Sequence, residues 1–414
     1  MNWESASEPA NIGRESVAQP HAAIMSRIKV VFSIGAMHGG GSERQLVSLL
    51  RHLDRERFEP ILYLVYRSGP LLQELPDDVP VFAFEERFQN RSICLPGMMH
   101  RNRVRDMSKF LSEVQADVSY DRTFLMTLIA AEAAQRIHIP NVSTVVTDPT
   151  LGFKPVAGKF QSAKRRILRR LYSSSGRVLA NSEGAARSAE SFYGLHPDSI
   201  CVHYNGVDLK VVREKSELPI EDDWWNEAKG ASSLRLVTAG RLNREKGFHL
   251  LIDAVAQILN QDAEMDIKLA ILGEGNSRDD LQSQIGQLQL ADSIRLMGFR
   301  DNAPAWYRSA DIFVLPSFLE GMPNVLLEAM ALGTSVISTD CPSGPREILL
   351  DGKFGELVDV GSVDSLVAGI NRIRTGQSPA VQAANRVQSE FSIQSATRNL
   401  ENILSEVVAS HQQS

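Results

Sequence analysis

The chain's 414 residues exceed what one ordinary hydrophobic core accommodates and suit two domains of about 200 residues each. With 43% hydrophobic and 23% charged residues, the composition is that of a soluble globular protein. The formal net charge of −6 argues against a general nucleic-acid binder.

Residues 1–26 are polar, start with acidic groups and lack a basic, then apolar, leader pattern. They read as a disordered extension rather than a signal peptide. The first domain is expected over 27–210. Its opening strand, 30–34, runs into a glycine-rich turn, Gly39-Gly40-Gly41, with Ser42 placed to cap a helix over 43–52. Further strands are predicted at 61–66, 79–84, 118–120, 142–147, 177–180 and 200–203, with helical patterns between them. Such alternation implies a mostly parallel, doubly wound sheet covered on both faces.

A polar interval containing Trp224-Trp225 reads as a linker over 211–232. The second domain, 233–392, restarts the pattern. Strands are predicted at 234–240, 267–272, 293–297, 311–315 and 335–339, and helices at 247–260, 278–288, 301–309 and 323–332. A last helix, within 393–414, follows the completed second sheet and is expected to pack back on the domains. No run of about 18 apolar residues exists to cross a bilayer. The three cysteines, Cys94, Cys201 and Cys341, form no C-x-x-C pair, which gives no sign of a disulfide framework or zinc site and suits a reduced, cytoplasmic setting.

Chemistry concentrates at the strand ends, where open α/β sheets bind ligands. Arg241 and Lys246 flank the turn from strand 234–240 to the next helix, and two cations there suit a diphosphate as well as they suit an ordinary solvated turn. After strand 311–315, Glu320 sits on a lip, Gly321-Met322-Pro323-Asn324-Val325, and Glu328 a turn inside the following helix, with Pro323 suited to its first position. Carboxylates at this edge accept hydrogen bonds from sugar and ribose hydroxyls, while free N–H groups at the helix start face a phosphate. The turn Gly39-Gly40-Gly41 either brings backbone close to a phosphate or makes a tight turn with no ligand. It fails the G-x-G-x-x-G fingerprint, which disfavours a dehydrogenase. Gly273, Gly298 and Arg300 close two further strand ends as a wall for a nucleobase, or as plain turn residues. The segment from Lys154 to Arg177 carries Lys164, Arg165, Arg166, Arg169 and Arg170 and no acid, with Phe160, Ala163, Ile167, Leu168 and Leu171 at helical spacing. It reads as a basic face for an anionic membrane surface, set against a core-packed helix with a solvated face. No Asp-x-Asp triplet and no metal-ligand spacing occurs, so no metal is expected.

Together these segments resemble glycosyltransferase family 4, retaining enzymes with the GT-B fold. The pattern covers about 29–395 and is carried by Gly40-Gly41-Ser42-Glu43-Arg44, Asn181-Ser182, Tyr204-Asn205-Gly206-Val207-Asp208, Gly240-Arg241 through Lys246-Gly247, Gly273-Glu274-Gly275, Gly298-Phe299, Pro316-Ser317 and Glu320 through Glu328. The resemblance implies two facing Rossmann-like domains with an inter-domain cleft. It implies that Arg241 and Lys246 bind the donor diphosphate, that Glu320 contacts the transferred sugar and Glu328 the ribose, and that amides of Gly321 to Val325 and of Gly40 and Gly41 close over the phosphates. The expected reaction moves a sugar from a nucleotide-sugar donor, UDP-linked in preference to GDP-linked, to a glycolipid or oligosaccharide acceptor at the cytoplasmic membrane face, without cofactor. A nucleotide-sugar epimerase and a silent nucleotide-sugar-binding protein are the rival readings. One departure stands out: the family often has a histidine at the end of a first-domain strand, and here 118–123 and 147–149 contain none. Arg122 and Asp148 are the candidates for that sugar contact.

Overall fold

The computed structural model of the protein describes residues 27–88, 97–227, 230, 233–377 and 383–413; the extension expected over 1–26 lies outside them. The first sheet contains β1 (Ile28–Ile34), β2 (Phe58–Leu64), β3 (Val81–Ala83), β4 (Val118–Arg122), β5 (Asn141–Val145), β6 (Arg177–Ala180) and β7 (Ile200–Val202). Its order is β3-β2-β1-β4-β5-β6-β7. The second contains β8 (Ser233–Ala239), β9 (Asp266–Leu272), β10 (Ile294–Gly298), β11 (Ile312–Leu315), β12 (Ser335–Thr339) and β13 (Glu356–Val358), in the order β10-β9-β8-β11-β12-β13. The pairings in both are parallel. Val30, Val31 and Phe32 in β1, and Phe313, Val314 and Leu315 in β11, are fully buried. Continuous apolar runs are required where helices cover both faces of a sheet.

Each strand order reverses once, between β1 and β4 and between β8 and β11. Loops leaving the two strands at such a reversal go to opposite faces and open a crevice between them. Both crevices lie at carboxyl ends of strands, and the tips of the two sheets meet.

Four local expectations are corrected. Residues 211–227 are more than a linker: the helix Leu209–Ser216 leads to buried Trp224 and Trp225, which join the second sheet's core. Trp225 lies 5.1 Å from the Trp306 ring and its indole N–H donates to Ser309 Oγ at 2.8 Å. The second sheet is completed by β13, a three-residue edge strand too short to announce itself. Ser42 is not a cap: the helix Gly41–His52 starts two residues earlier than expected, with Gly40 at its N-cap. Pro323 likewise occupies the N-cap of the helix Asn324–Ala331, not its first turn.

The last helix, Ile393–Gln412, belongs to the first sheet's core, where Leu400, Leu404, Val407 and Val408 pack with Val30, Phe32, Leu46 and Leu50. The chain thus crosses between domains twice. The crossings are stitched together, Val207 N–H donating to Phe391 O at 2.8 Å and Ile393 N–H to Val207 O at 2.9 Å. Leu404 is fully buried, so Leu404→Ala should destabilise the protein by about 2–5 kcal/mol and lower its thermal midpoint. An unchanged midpoint in a calorimetric scan would show this helix to be outside the cooperative core.

Candidate active site

Adjacent parallel strands β8 and β11, in register at Ile312–Leu236, deliver two loops to one point. After β8 the chain turns through a short 3₁₀ segment, Arg244–Lys246, to Gly247. Gly247 has φ +69°, and a Cβ there would stand 2.0 Å from Pro316 O. Only glycine lets this turn lie directly on the chain leaving β11. The second link is Phe318 N–H donating to Glu245 O at 2.8 Å.

That close approach brings Lys246 Nζ to 2.7 Å from Glu320 Oε1, with side chains 21% and 8% exposed. Ser317, part of the recognised pattern but given no role there, donates its hydroxyl to the same Glu320 oxygen at 2.6 Å. Arg241 is exposed on the same turn and makes no ion pair among the described residues. One cation is therefore held by a carboxylate and one is free. Beside the pair, burial and then the Glu320 charge push the Cys341 thiol up to about 12, so it stays neutral and is a poor nucleophile.

The lip is seated on the first domain. Gly321 packs so tightly that a Cβ would fall 2.2 Å from Val146 O and 2.9 Å from Asn181 Nδ2. Asn205 donates its side-chain amide to Asn324 Oδ1 at 3.0 Å and to Met322 O at 3.4 Å. The amides of Met322, Asn324 and Val325 find no acceptor among the described residues, whereas those of Leu326 and Leu327 reach Pro323 O. Across the same boundary, Glu347 accepts from the N–H groups of Glu183 and Gly184, both at 2.8 Å. A carboxylate at the start of the helix Glu183–Tyr193 is stabilised by its dipole.

Glu328 lies half-buried in the helix Asn324–Ala331. Burial raises its carboxyl to about 7, opposed by the charges of Arg44 and Lys215. Arg44 comes from the first domain, donates to Gly39 O at 3.3 Å and lies 5.7 Å from the centre of the exposed Phe299 ring. Its role was not read from the sequence, although it closes the Gly40 to Arg44 run. Gly273 donates its N–H to Gly298 O at 2.8 Å, pinning β9 to β10, and Arg300 is exposed at 5.9 Å from the Trp306 ring.

Four expectations meet different surroundings. Glu43 folds its carboxylate over Gly40, where Oε2 is 2.4 Å from the place of a Cβ, so an anion at Gly40 and Gly41 must first displace that acid. Asp148 is buried and caps the helix Pro149–Ala157, its Oδ1 accepting from Thr150 N–H at 2.8 Å, from the Thr150 hydroxyl and from the Ser188 hydroxyl. Arg122 is also buried, one nitrogen donating to Tyr120 and another to Asn205, so it is burial that keeps it from presenting a face to a sugar. The basic segment is two helices, Pro149–Ala157 and Gln161–Ser174. Phe160, expected on the buried stripe, lies before the second helix and is 71% exposed. Lys164 donates to Ala157 O and Arg165 to Phe192 O, while Arg166, Arg169 and Arg170 are exposed.

Comparison with known proteins agrees with this architecture. The family model described as Glycosyltransferase Family 4 matches residues 39–211, and the one described as Glycosyl transferases group 1 matches 233–375. The chain is 31% identical over 347 residues to the N-acetylgalactosamine-N,N'-diacetylbacillosaminyl-diphospho-undecaprenol 4-alpha-N-acetylgalactosaminyltransferase of Campylobacter jejuni, covering 82% of this chain and 87% of that protein. It is 30% identical over 209 residues to the lipopolysaccharide core biosynthesis glycosyltransferase LpsE of Rhizobium meliloti, covering 50% and 57%. A solved glycosyltransferase from Rickettsia africae superposes with a TM-score of 0.73 at 18% identity, over 92% of this chain and 99% of that one. Anabaena Alr3699/HepE in complex with UDP does so with 0.72 at 22% identity, over 92% and 100%. Two parallel α/β domains meeting tip to tip, in the GT-B arrangement, and a relative matched along most of its length place this chain in glycosyltransferase family 4, the group 1 glycosyl transferases.

Proposed function

We propose that this glycosyltransferase moves a sugar, with retention at the anomeric carbon, from a UDP-linked donor to a lipid-linked or polysaccharide-precursor acceptor. The observation that carries the reading is the Lys246–Glu320 pair at the β8/β11 reversal, 2.7 Å apart and mostly shielded from water. A donor diphosphate competes with Glu320 for Lys246 and also engages the free Arg241 and the unbonded amides of Met322, Asn324 and Val325. Glu320, released, accepts from a hydroxyl of the sugar, and Glu328 accepts from the ribose. Gly298 and Arg300 border the base. As the bond from the anomeric carbon to the phosphate oxygen breaks, charge builds on the leaving diphosphate, where fixed cations and dipoles act most strongly. The acceptor hydroxyl enters beside the leaving group, forms the new carbon–oxygen bond and gives its proton to the departing phosphate oxygen. Lys246, Arg241 and the helix start carry the neutralisation in this scheme, which calls for no metal. The UDP held by the Anabaena protein and the diphospho-undecaprenol in the Campylobacter relative's name support the donor and acceptor classes.

We further propose a peripheral contact with an anionic leaflet on the cytoplasmic side. No helix of the described residues is long and apolar enough to cross a membrane. Exposed Leu151 and Val156 lie on the helix Pro149–Ala157 and exposed Phe160 caps the helix Gln161–Ser174, which carries exposed Arg166, Arg169 and Arg170, so this segment supplies both apolar prongs and cations. Mutating Arg166, Arg169 and Arg170 together to Gln should release the protein from anionic vesicles in a sedimentation assay. Undiminished binding would remove this face as the anchor.

Lys246→Ala should weaken UDP binding about tenfold in calorimetry, the loss of one charge-assisted contact. Glu320→Gln should lower turnover on the order of a hundredfold, and both should be insensitive to EDTA. Donor hydrolysis in the absence of acceptor supports transfer; inversion at sugar C2 would identify an epimerase, and neither would identify a binding protein. Glu328 gives a pH signature. Its folded carboxyl, raised from 4.5 to about 7, binds its proton more tightly than the unfolded chain does, so stability is full below pH 4.5 and falls as pH rises through 7. Glu328→Gln should therefore be more stable than the parent at pH 8, by on the order of 2 kcal/mol, with little difference at pH 4.5. Chemical denaturation at the two pH values checks this, and equal differences at both would remove the burial of this carboxylate as its cause.

A further inference from the structure

We propose that Arg122 is a positioning residue for the donor site: through Asn205 it fixes the shape of the lip at Met322 and Asn324, 200 residues further along the chain. The proposal rests on the lip being the donor's seat. Arg122 ends β4 and is only 1% exposed, yet it has no carboxylate partner among the described residues. Its strand neighbour cannot supply one. Successive side chains alternate across a strand, and Asp121 faces the other way, accepting from Thr127 at 2.5 Å and from Asn141 and Ser143, both at 2.8 Å. A buried guanidinium is costly unless its N–H groups are placed. Here one nitrogen donates to Tyr120 Oη at 3.2 Å and another to Asn205 Oδ1 at 3.0 Å, while Nε has no partner.

The consequence lies in Asn205. A guanidinium can only donate, so the oxygen of the Asn205 amide must face Arg122. Its NH₂ group is thereby turned to the lip, where it donates to Asn324 Oδ1 at 3.0 Å and to Met322 O at 3.4 Å. Rotating the amide by half a turn would set NH₂ against guanidinium and oxygen against oxygen. The buried cation thus selects one orientation of Asn205, and that orientation holds two acceptors of the lip. The lip's own N–H groups at Met322, Asn324 and Val325 remain unbonded to protein. A basic side chain at the tip of the first sheet in this way preorganises a site built on the second.

Two variants separate this role from a packing role. Arg122→Met keeps the bulk and removes every donor. Asn205→Asp keeps the acceptor for Arg122, now as an ion pair, and removes the NH₂ donor, so the fold is retained while the grip on Met322 O is lost. Both should bind UDP about tenfold more weakly in calorimetry, the worth of one hydrogen bond to a charged network. Both should also speed amide exchange in 321–327 while leaving 241–246 at the wild-type rate, and Asn205→Asp should do so with no fall in thermal midpoint. Wild-type UDP affinity and wild-type lip exchange in Asn205→Asp would overturn the proposal, and this holds even if Arg122→Met does not fold. Should the wild type itself ignore UDP, the donor reading fails, and the exchange of 321–327 still decides for or against the Arg122 role.

Discussion

The pairing of β8 with β11 is the constraint on which the site depends. Seventy-odd residues separate Lys246 from Glu320 in the chain, and nothing local would bring them together. Parallel pairing does so because both loops leave the same edge of the sheet, and Gly247 removes the one obstacle by admitting the Pro316 carbonyl. Had β11 joined the sheet beside β10, the same residues would lie on separate flanks with no shared chemistry.

The resulting ion pair is worth more as a poised arrangement than as a source of stability. Exposures of 21% and 8% leave it largely desolvated, and buried pairs return little net free energy once desolvation is counted. Ser317 adds a hydrogen bond that keeps Glu320 in place. An incoming diphosphate replaces one partner of Lys246 with another, so no cation is stranded and the displaced carboxylate finds hydroxyl donors in the sugar. The inter-domain contacts work alongside: Gly321 against Val146, Asn205 against Asn324 and Glu347 on the start of the helix Glu183–Tyr193 make the lip a joint product of both domains.

The doubly wound architecture was legible because buried parallel strands advertise themselves as apolar runs, as at β1 and β11, and because Lys246-Gly247 and Glu320-Gly321 mark strand-to-helix turns. What escaped depended on contacts between distant segments. Arg122 and Asp148 looked available because both end or follow strands; their burial is decided by Asn205 and Ser188, which sequence spacing cannot pair with them. Phe160 fitted a helical stripe until Gly158 broke the basic segment into two helices. The partnership of Trp224 and Trp225 with Trp306 was hidden for the same reason. β13 has three residues, too few for a periodicity. Arg44 stood in a recognised run, but its place opposite Glu328 follows only from how the domains meet.

The return of the helix Ile393–Gln412 to the first domain has a consequence for the order in which the protein matures. Leu400, Leu404, Val407 and Val408 pack with Val30, Phe32, Leu46 and Leu50, made about 350 or more positions earlier. While the nascent chain is still threading out of the ribosome, the early lobe has its strands but not its final wall. Its apolar flank therefore stays wet until Ile393–Gln412 has been made, and a segment synthesised late seals one synthesised early.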